Sequence, residues 1–326
     1  MPSVLITGSS GFIGGCICER FLTEGWETSG IGRREMDQPG YIRFDLSHPF
    51  TDSVLAAIRR SDVVLHAAAR SSPWGSRRAF YSANVTATEN LIQACEQNGK
   101  PKLVYISSSS VYYRPEDQIG IAESWSLAEP PVNLYAETKQ IAEERIKQYS
   151  GAWSIVRPRA VYGKGDTVLF PRILAAAKAG KLPLLTRPGT PAIGDLISIE
   201  NLVEYLFKIV AFPDVKGEYN LTDNEPVEII PFLLKIFERL GIESPKKRLP
   251  VKTAFRVARV VEFLYGTFLP WLEPPITRFG VHVFAYSKTF DVTRMINDLG
   301  PPKLSTEESV ERFVSWVKDE DPYQLN

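Results

Sequence analysis

The sequence has few residues of the types that build disulfide frameworks and metal sites. Its 326 residues include three cysteines and three histidines, and the histidines are far apart. Cys16 and Cys18 lie in one apolar segment, and their spacing is not that of a zinc site, so their predicted role is packing. We therefore expect neither a disulfide framework nor a catalytic metal ion in this protein.

The sequence also lacks an excess of charge of either sign and a long apolar run. Lys and Arg together number 38, and so do Asp and Glu, so the net charge predicts neither nucleic acid nor an anionic membrane as the main partner. The first residues follow a strand pattern rather than that of a secretory signal, and no run of about twenty apolar residues predicts an integral membrane segment. The resulting expectation is a cytoplasmic protein.

The first half of the chain alternates strand-like apolar runs with helical patterns. Strands are predicted at 3–8, 27–32, 62–69, 102–109 and 153–158, and helices are predicted at about 11–24, at about 76–98 and around 135–139. Alternation of this kind favours an α/β fold in which helices cover both faces of a parallel sheet. After Pro158 the alternation of strand-like runs with helical patterns becomes less regular, which predicts a smaller second region.

A glycine-rich segment follows the first predicted strand. Glycines between a strand and a helix let backbone N–H groups approach a diphosphate, and the N-terminus of the helix adds partial positive charge. The glycines recur at intervals of three, which differs from the commoner Gly-x-Gly-x-x-Gly, but their place directly after the first strand favours dinucleotide binding. The residues predicted to contact the cofactor here are Gly8, Ser10, Gly11, Phe12, Ile13 and Gly14.

Two basic residues, Arg33 and Arg34, follow the second predicted strand. An acidic residue at this place would accept hydrogen bonds from the adenosine ribose of NAD. Guanidinium groups instead suit the 2′-phosphate of NADP. The alternative is a solvated basic turn, with Glu35 as a displaced acceptor for the ribose. NADP is the predicted cofactor, and NAD is the second choice.

Tyr135 and Lys139 are four residues apart, so a helix would place the phenol and the ammonium side by side. Such pairs also occur on solvated helices without any function. A cation close to a phenol could instead lower its pKa from about 10 towards working pH and make it a usable acid or base. These two residues alone do not decide between the alternatives.

In combination, the motifs resemble those of the extended short-chain dehydrogenases/reductases, within the NAD-dependent epimerase/dehydratase superfamily. The matching segments occur in the order seen in that family and are 7–14, 65–69, Asn84, 105–113 and 135–139. The resemblance covers nearly the whole chain and implies a Rossmann-type doubly wound parallel sheet. We expect a dinucleotide-binding domain over 1–160, to which 190–225 return, and a smaller, partly interleaved C-terminal substrate-binding region over 161–326.

The same resemblance implies a role for each matching residue. Tyr135 would be the catalytic acid/base, and Lys139 would lower its pKa and bind the nicotinamide ribose. Ser108 would hold the reacting oxygen by a hydrogen bond, with Ser107 and Ser109 as alternatives. Further contacts with the cofactor would come from Asp45, Leu46, Ala67, Ala68, Ala69, Asn84 and Pro158.

Several segments favour one branch of the family, that of the 3β-hydroxysteroid dehydrogenases. This branch includes sterol 4-carboxylate dehydrogenases and bacterial reductases of 2-alkyl-3-keto acids, and the similar segments are 71–76, 199–201, 221–227 and 273–279. Ala160 stands where sugar-nucleotide enzymes often carry asparagine. The branch implies an NAD(P)-dependent oxidoreductase that interconverts a secondary alcohol and a ketone on an apolar, steroid-like or β-keto acid-like compound. A nucleotide-sugar epimerase or dehydratase is the alternative.

Two features of the sequence allow more than one interpretation. Tyr113 stands where the family often has glycine, which puts the shape of its loop in question. Residues 254–272 are rich in Phe, Val, Leu and Trp. They would form either ordinary core or the face of a homodimer, or else a pocket wall or a surface patch for an apolar substrate.

Overall fold

The computed structural model describes residues 1–324. Its strands are short, and in chain order they are β1 (Ser3–Thr7), β2 (Glu27–Gly32), β3 (Tyr41–Arg43), β4 (Val63–His66), β5 (Lys102–Ile106), β6 (Gln118–Ile121), β7 (Trp153–Pro158), β8 (Val161–Tyr162), β9 (Leu184–Thr186), β10 (Ile193–Gly194), β11 (Ile197–Ser198), β12 (Gly217–Leu221), β13 (Val227–Glu228), β14 (Arg248–Pro250) and β15 (Lys288–Phe290).

Helices follow most of the strands of the first half and dominate the second half. In chain order they are α1 (Phe12–Thr23), α2 (Asp52–Arg60), α3 (Arg77–Phe80), α4 (Ala87–Gln97), α5 (Leu134–Lys147), α6 (Phe170–Lys178), α7 (Ile199–Ala211), α8 (Ile229–Arg239), α9 (Val251–Phe268), α10 (Arg278–Ala285), α11 (Thr293–Leu299) and α12 (Thr306–Glu320). A π-helical segment, Tyr81–Thr86, joins α3 to α4, and a 3₁₀ turn, Ser109–Tyr112, follows β5.

Seven strands form one parallel sheet, in the order β12-β7-β5-β4-β1-β2-β3. Strands β1, β4 and β5 are buried along their whole length because helices cover both faces of the sheet. From β1 the chain first extends the sheet through β2 and β3, and then returns to extend the other side. Ligands bind such sheets at this reversal, outside the carboxyl ends of β1 and β4. The predicted doubly wound α/β fold is confirmed.

The chain after Pro158 contributes to two parts of the molecule. Strand β12 pairs with β7 in the main sheet, and α7 packs against α1. A separate hydrophobic core lies among α6, α8 and α12, around Phe170, Phe237 and Phe313. Beside it is a four-stranded sheet in the order β13-β10-β15-β6. The domain border expected near residue 160 stays a prediction.

Local structure differs from the sequence prediction in the first half of the chain. The helix expected over 76–98 is interrupted by the π-helical segment. Neither β3 nor α2 was predicted from the sequence. Strand β3 has three residues, too few to show an alternating pattern, and it forms because its backbone pairs with β2.

The apolar segment 254–272 forms most of α9 and the turn that follows it. Within α9, Ala254 and Ala258 are the buried residues. Phe263, Phe268 and Trp271 are instead 69 %, 65 % and 75 % exposed, so this segment is a surface patch and not ordinary core. No helix in residues 1–324 is long and apolar enough to cross a membrane.

Candidate active site

The turn after β1 brings three glycines into backbone contact. Gly8 has a φ of 72°, and a β-carbon there would lie 2.7 Å from the backbone nitrogen of Ala68. A β-carbon at Gly14 would lie 2.2 Å from the carbonyl oxygen of Gly8. Glycine is required at these positions because the first turn of α1 packs directly on the turn and on the end of β4.

The N-terminus of α1 offers free backbone donors. Gly11 caps the helix without a side-chain hydrogen bond, and no acidic residue lies in the first turn. The N–H groups at the start of an α-helix have no acceptor within the helix, and they carry the positive end of its dipole. The glycine turn and the start of α1 therefore fit the diphosphate of a dinucleotide.

The other predicted contacts at this turn lie around the same crevice. Phe12 and Ile13 begin α1 and are half-buried. The Ser10 hydroxyl faces the end of β2, where a β-carbon at Gly32 would lie 2.5 Å from it. These residues surround the glycine turn, as expected from their place in the sequence.

The end of β2 places Arg33 and Arg34 on the surface, both exposed. Arg34 donates to the carbonyl oxygen of Ser10 at 3.4 Å. Asp45 accepts hydrogen bonds from the backbone and hydroxyl of Ser47 at 3.0 and 2.8 Å. Burial acts to raise the pKa of Asp45, but these hydrogen bonds and the charge of Arg33 outweigh it and lower the pKa. Two exposed arginines and a carboxylate therefore lie at this end of the crevice.

A buried hydrogen-bond chain supports the segment after β4. His66 lies between the hydroxyls of Thr7 and Thr88, at 2.7 and 3.0 Å, and the Thr7 hydroxyl accepts from the Ala68 N–H at 3.2 Å. Burial lowers the pKa of His66 to about 3, with a smaller contribution from Lys139. The imidazole is thus neutral and structural, and it holds the small residues in place beside the glycine turn.

Ala67, Ala68 and Ala69 follow this histidine and are half-buried. Leu46 is buried, and its carbonyl oxygen accepts from Asn90 at 2.9 Å. Pro158 ends β7 opposite Leu221 of β12. These residues lie at the carboxyl edge of the sheet, which is where contacts with a bound cofactor are predicted.

Asn84 lies in the π-helical segment and is buried. Its side chain accepts from the Arg70 N–H at 2.7 Å and donates to the hydroxyl of Thr138 at 3.0 Å and to the Arg70 carbonyl at 3.3 Å. Each polar atom of the side chain thus has a protein partner. Asn84 therefore joins the loop after β4 to α5, and its geometry indicates support of the site rather than a direct contact with the cofactor.

The structure brings Ser108, Tyr135 and Lys139 together at the carboxyl edge of the sheet. Helix α5 is capped by Asn133, which accepts from the backbone of Ala136 at 2.8 Å. Lys139 extends beneath Tyr135, with its Nζ 6.0 Å from the centroid of the phenol ring, and donates to the Ile106 carbonyl at 2.6 Å. The Ser108 hydroxyl, in the loop after β5, accepts from the backbone and the hydroxyl of Ser110 at 3.2 and 3.0 Å and lies close enough to the phenol of Tyr135 to act on its pKa.

Ser107 and Ser109, the alternatives to Ser108, have other partners. The Ser107 hydroxyl donates to Glu143 at 2.5 Å. The Ser109 hydroxyl shares a hydrogen bond of 2.9 Å with the Tyr113 hydroxyl. The geometry thus favours Ser108 among the three serines. Tyr113, which stands where the family often has glycine, is buried beside this loop.

The pKa of Tyr135 is shifted in the opposite direction to that expected from its neighbour. Burial raises it, and the nearby hydroxyls of Ser108 and Ser71 oppose this rise in the pKa without overcoming it. Burial also lowers the pKa of Lys139 to about 7, although the charge of Glu143 opposes this shift. Burial disfavours both charged forms, so it outweighs the expected lowering of the phenol's pKa.

Ser71 is a member of the site that the sequence did not identify. It lies in the loop after β4, and its hydroxyl is close enough to the phenol of Tyr135 to act on the pKa of that group. The segment 71–76 was recognised for its similarity to one branch of the family, but no local spacing links Ser71 to Tyr135. A usable signal was a pair of serines that begins two residues after a predicted strand, at the edge where ligands bind.

A buried ion pair connects the elements that carry the candidate site residues. Arg157 of β7 donates to Glu143 of α5 through Nε at 2.9 Å and Nη2 at 2.6 Å. Its Nη1 donates to the Tyr112 hydroxyl at 2.5 Å. Since Ser107 also donates to Glu143, the pair ties α5 and β7 to the loop that carries Ser108.

Comparison with known proteins gives a family match and similar chains. Residues 4–222 match the model of the NAD dependent epimerase/dehydratase family. The chain is 32 % identical to a 2-alkyl-3-oxoalkanoate reductase of Shewanella oneidensis, over 94 % of this chain and 84 % of that protein. It is 29 % identical to 3beta-hydroxysteroid-dehydrogenase/decarboxylase isoform 2 of Arabidopsis thaliana, over 84 % of this chain and 51 % of the plant protein.

Solved structures share the fold at lower sequence identity. The structure of MoeE5 in complex with UDP-glucose and NAD superimposes with a TM-score of 0.75 at 20 % identity, over 98 % of this chain and 99 % of that one. At this identity the likeness establishes the Rossmann-type fold alone.

Replacement of Lys139 should stabilise the protein at neutral pH. Because the pKa of Lys139 is lowered to about 7, the folded state binds fewer protons than the unfolded state between that value and the usual 10.5. Stability from this group therefore rises with pH through that window, and the buried ammonium is most unfavourable at and below its lower end. Lys139→Met should raise the free energy of unfolding by at least about 1 kcal/mol near pH 7.

Urea unfolding at a series of pH values measures this effect, with Lys181→Met at an exposed position as the control. The gain from Lys139→Met should shrink as the pH approaches the usual lysine value, and the control should show no such trend. An unchanged or lower stability of Lys139→Met at neutral pH would contradict the argument from burial.

Proposed function

The chain belongs to the NAD-dependent epimerase/dehydratase family, and we propose that it is an NADP-preferring oxidoreductase. It interconverts a secondary alcohol and a ketone on an apolar small molecule of the β-keto acid or steroid type. The observation that carries this proposal is the meeting of Ser108, Tyr135 and Lys139 beside a glycine turn that fits a diphosphate. Their proposed roles are those that the family resemblance implies for these positions.

In the proposed reaction, side chains of the protein transfer the proton. Tyr135 donates it to the oxygen of a ketone, or accepts it from an alcohol, and Ser108 holds that oxygen by a hydrogen bond. A raised pKa keeps the phenol protonated at neutral pH, which is the form that donates a proton to the oxygen of a ketone during reduction. A bound nicotinamide dinucleotide would supply the hydride for this reduction.

Lys139 and Ser71 act on Tyr135 from two sides. The Ser71 hydroxyl acts on the phenol from the loop after β4, and Lys139 lies beneath the ring, with its Nζ 6.0 Å from the ring centroid. The Lys139 ammonium is also the group available to bind the nicotinamide ribose. Its hydrogen bond to the Ile106 carbonyl fixes its position at the end of β5.

Features of the substrate side support an apolar compound over a nucleotide sugar. The relatives named as reductases and dehydrogenases match most of this chain. Ala160 offers no side-chain donor at the position where sugar-nucleotide relatives often carry asparagine, so this contact with a diphosphate would be missing. The exposed apolar surface of α9 borders the loop that contains Ser71, since a β-carbon at Gly266 would lie 3.7 Å from Trp74.

The substrate class predicts a pattern of turnover and binding. NADPH should be consumed with a 2-alkyl-3-keto acid or a ketosteroid, and UDP-glucose should neither react nor bind in the presence of NADP. A spectrophotometric assay of NADPH and calorimetry with UDP and UDP-glucose measure these outcomes. Micromolar binding of either nucleotide would favour the epimerase or dehydratase alternative instead.

Tyr135→Phe removes the transferable proton and little else. Turnover should fall by about a hundredfold or more, whereas the affinity for NADPH, measured by fluorescence titration, should be retained. Tyr81→Phe is the matched control because the Tyr81 hydroxyl bonds Glu137 at 2.6 Å, away from the proposed reacting oxygen. Near-normal turnover of Tyr135→Phe would remove Tyr135 from the mechanism.

Arg33→Ala tests the preference for NADP. Each lost charge-assisted hydrogen bond to the 2′-phosphate should weaken NADPH binding about tenfold or more, and NADH binding should barely change. Arg59→Ala, which removes an exposed positive charge from α2, is the control. Equal losses for both cofactors would mean that Arg33 does not contact the 2′-phosphate.

A further inference from the structure

The exposed large hydrophobic side chains of this protein are concentrated on α9 and the turn that follows it. Within residues 1–324, seven of the thirteen such side chains lie between Val257 and Leu272. The most exposed of the seven are Phe263, Phe268 and Trp271. Hydrophobic area that is gathered at one place on a surface marks an interaction site, whereas single exposed residues need no explanation. We call residues 257–272 the α9 patch.

The chain that leads into the α9 patch is strongly basic, although the charges of the whole protein balance. Residues 244–261 contain six Lys and Arg residues and no Asp or Glu. Of these six, Lys252, Arg256 and Arg259 are exposed on α9. None of the three forms an ion pair within the part of the chain that the structure describes. Three uncompensated positive charges therefore lie beside the exposed hydrocarbon.

The acidic residues within and directly after the α9 patch are paired with arginines. Glu262 pairs with Arg278 at 2.5 Å, and Glu273 pairs with Arg172 at 3.1 Å. Neither carboxylate adds net negative charge to the surface, which is thus apolar and cationic. Such a surface is complementary to a layer that has anionic groups outside and hydrocarbon beneath them.

Basic and apolar groups follow one another along the axis of α9. The free cations lie in the first half of the helix, up to Arg259, and Phe263 and Phe268 lie in the second half. A helix rises about 1.5 Å per residue, so Phe263 lies about 6 Å further along the axis than Arg259. Interfacial helices bury their apolar groups to a depth of about 5–10 Å below the headgroups. The offset along α9 matches this depth.

We propose that the α9 patch binds the surface of an anionic lipid bilayer. Its aromatic side chains enter the boundary between headgroups and acyl chains, and the three free cations of α9 meet the anionic headgroups. Trp271 suits this boundary because an indole ring is apolar and also carries one N–H donor. Helix α9 is not long and apolar enough to cross a bilayer, so the proposed contact is peripheral.

A second copy of the chain fits this surface less well than a bilayer does. In a two-fold symmetric contact, α9 of one copy would meet α9 of the other. Parallel helices would place cations against cations, and antiparallel helices would bury cations against aromatic rings. Either arrangement leaves the positive charges of both copies without carboxylates, which is unfavourable. The free charges of α9 therefore favour the lipid surface.

The α9 patch borders the candidate active site. Trp74 lies with Ser71 in the loop after β4, and a β-carbon at Gly266 would lie 3.7 Å from the Trp74 ring. An apolar compound dissolved in the bilayer would thus be concentrated beside this loop. The bilayer contact itself does not depend on the proposed reaction, and its test needs no substrate.

Sedimentation with lipid vesicles tests the proposal. The wild type should bind an equimolar mixture of phosphatidylcholine and phosphatidylglycerol more tightly than phosphatidylcholine alone, and added salt should reduce the difference. Phe263→Ser combined with Trp271→Ser should weaken binding to both kinds of vesicle at least about tenfold. The matched control is Phe212→Ser combined with Trp125→Ser, which removes the same two residue types from exposed positions elsewhere.

A second pair of variants tests the charges. Arg256→Gln combined with Arg259→Gln should weaken binding to the anionic vesicles about 25-fold, since each basic residue near such a surface contributes about fivefold. Binding to phosphatidylcholine alone should not change. Arg59→Gln combined with Arg60→Gln removes two exposed arginines from α2 and is the matched control. These charge variants keep the apolar side chains, so they also serve if the aromatic variant does not fold.

The outcomes separate a bilayer contact from other uses of the α9 patch. The proposal is overturned if the wild type does not bind the anionic vesicles, or if a control loses as much binding as its matched variant. It is also overturned if Phe263→Ser combined with Trp271→Ser binds them as tightly as the wild type does, because the contact would then lack apolar insertion. A dimer that this variant dissociates, in a wild type that ignores vesicles, would make a second copy the partner instead.

Discussion

The buried ion pair between Arg157 and Glu143 holds the site together. Both side chains are almost fully buried, and a buried pair is stable only where its remaining donors and acceptors are also satisfied. Here Arg157 also contacts Tyr112 and Glu218, and Glu143 also accepts from Ser107. The pair therefore fixes α5 against β7 and sets the loop after β5, so the distance from Ser108 to Tyr135 depends on it.

Arg157 and Arg159 are both buried, but their surroundings differ. Arg157 lies inside β7 and meets a carboxylate that the fold provides, so its burial is structural. Arg159 follows the end of the strand and meets the ring of Tyr113, with the carboxylate of Asp195 close enough to interact with its charge but beyond ion-pair distance. Two arginines that are two residues apart in the sequence therefore differ in how their charges are paired.

Much of the site could be anticipated from local sequence. The glycine spacing after β1 indicates a turn in which backbone segments pack closely. A β-carbon at Gly14 would clash with the carbonyl of Gly8, so the structure has this close packing. The four-residue spacing of Tyr135 and Lys139 places both on one face of α5. Such inferences succeed because they depend on the geometry of one turn or one helix, which a few neighbouring residues determine.

What the sequence by itself determined is thus the fold class, the family and the local placement of the proposed catalytic residues. The tertiary structure alone decided the raised pKa of Tyr135, the contact made by Ser71 and the unpaired burial of Arg159. It also decided that the apolar segment of α9 lies on the surface. Burial and charge pairing depend on side chains that are remote in the sequence and meet only when the sheet and its loops are assembled, so no local pattern reveals them.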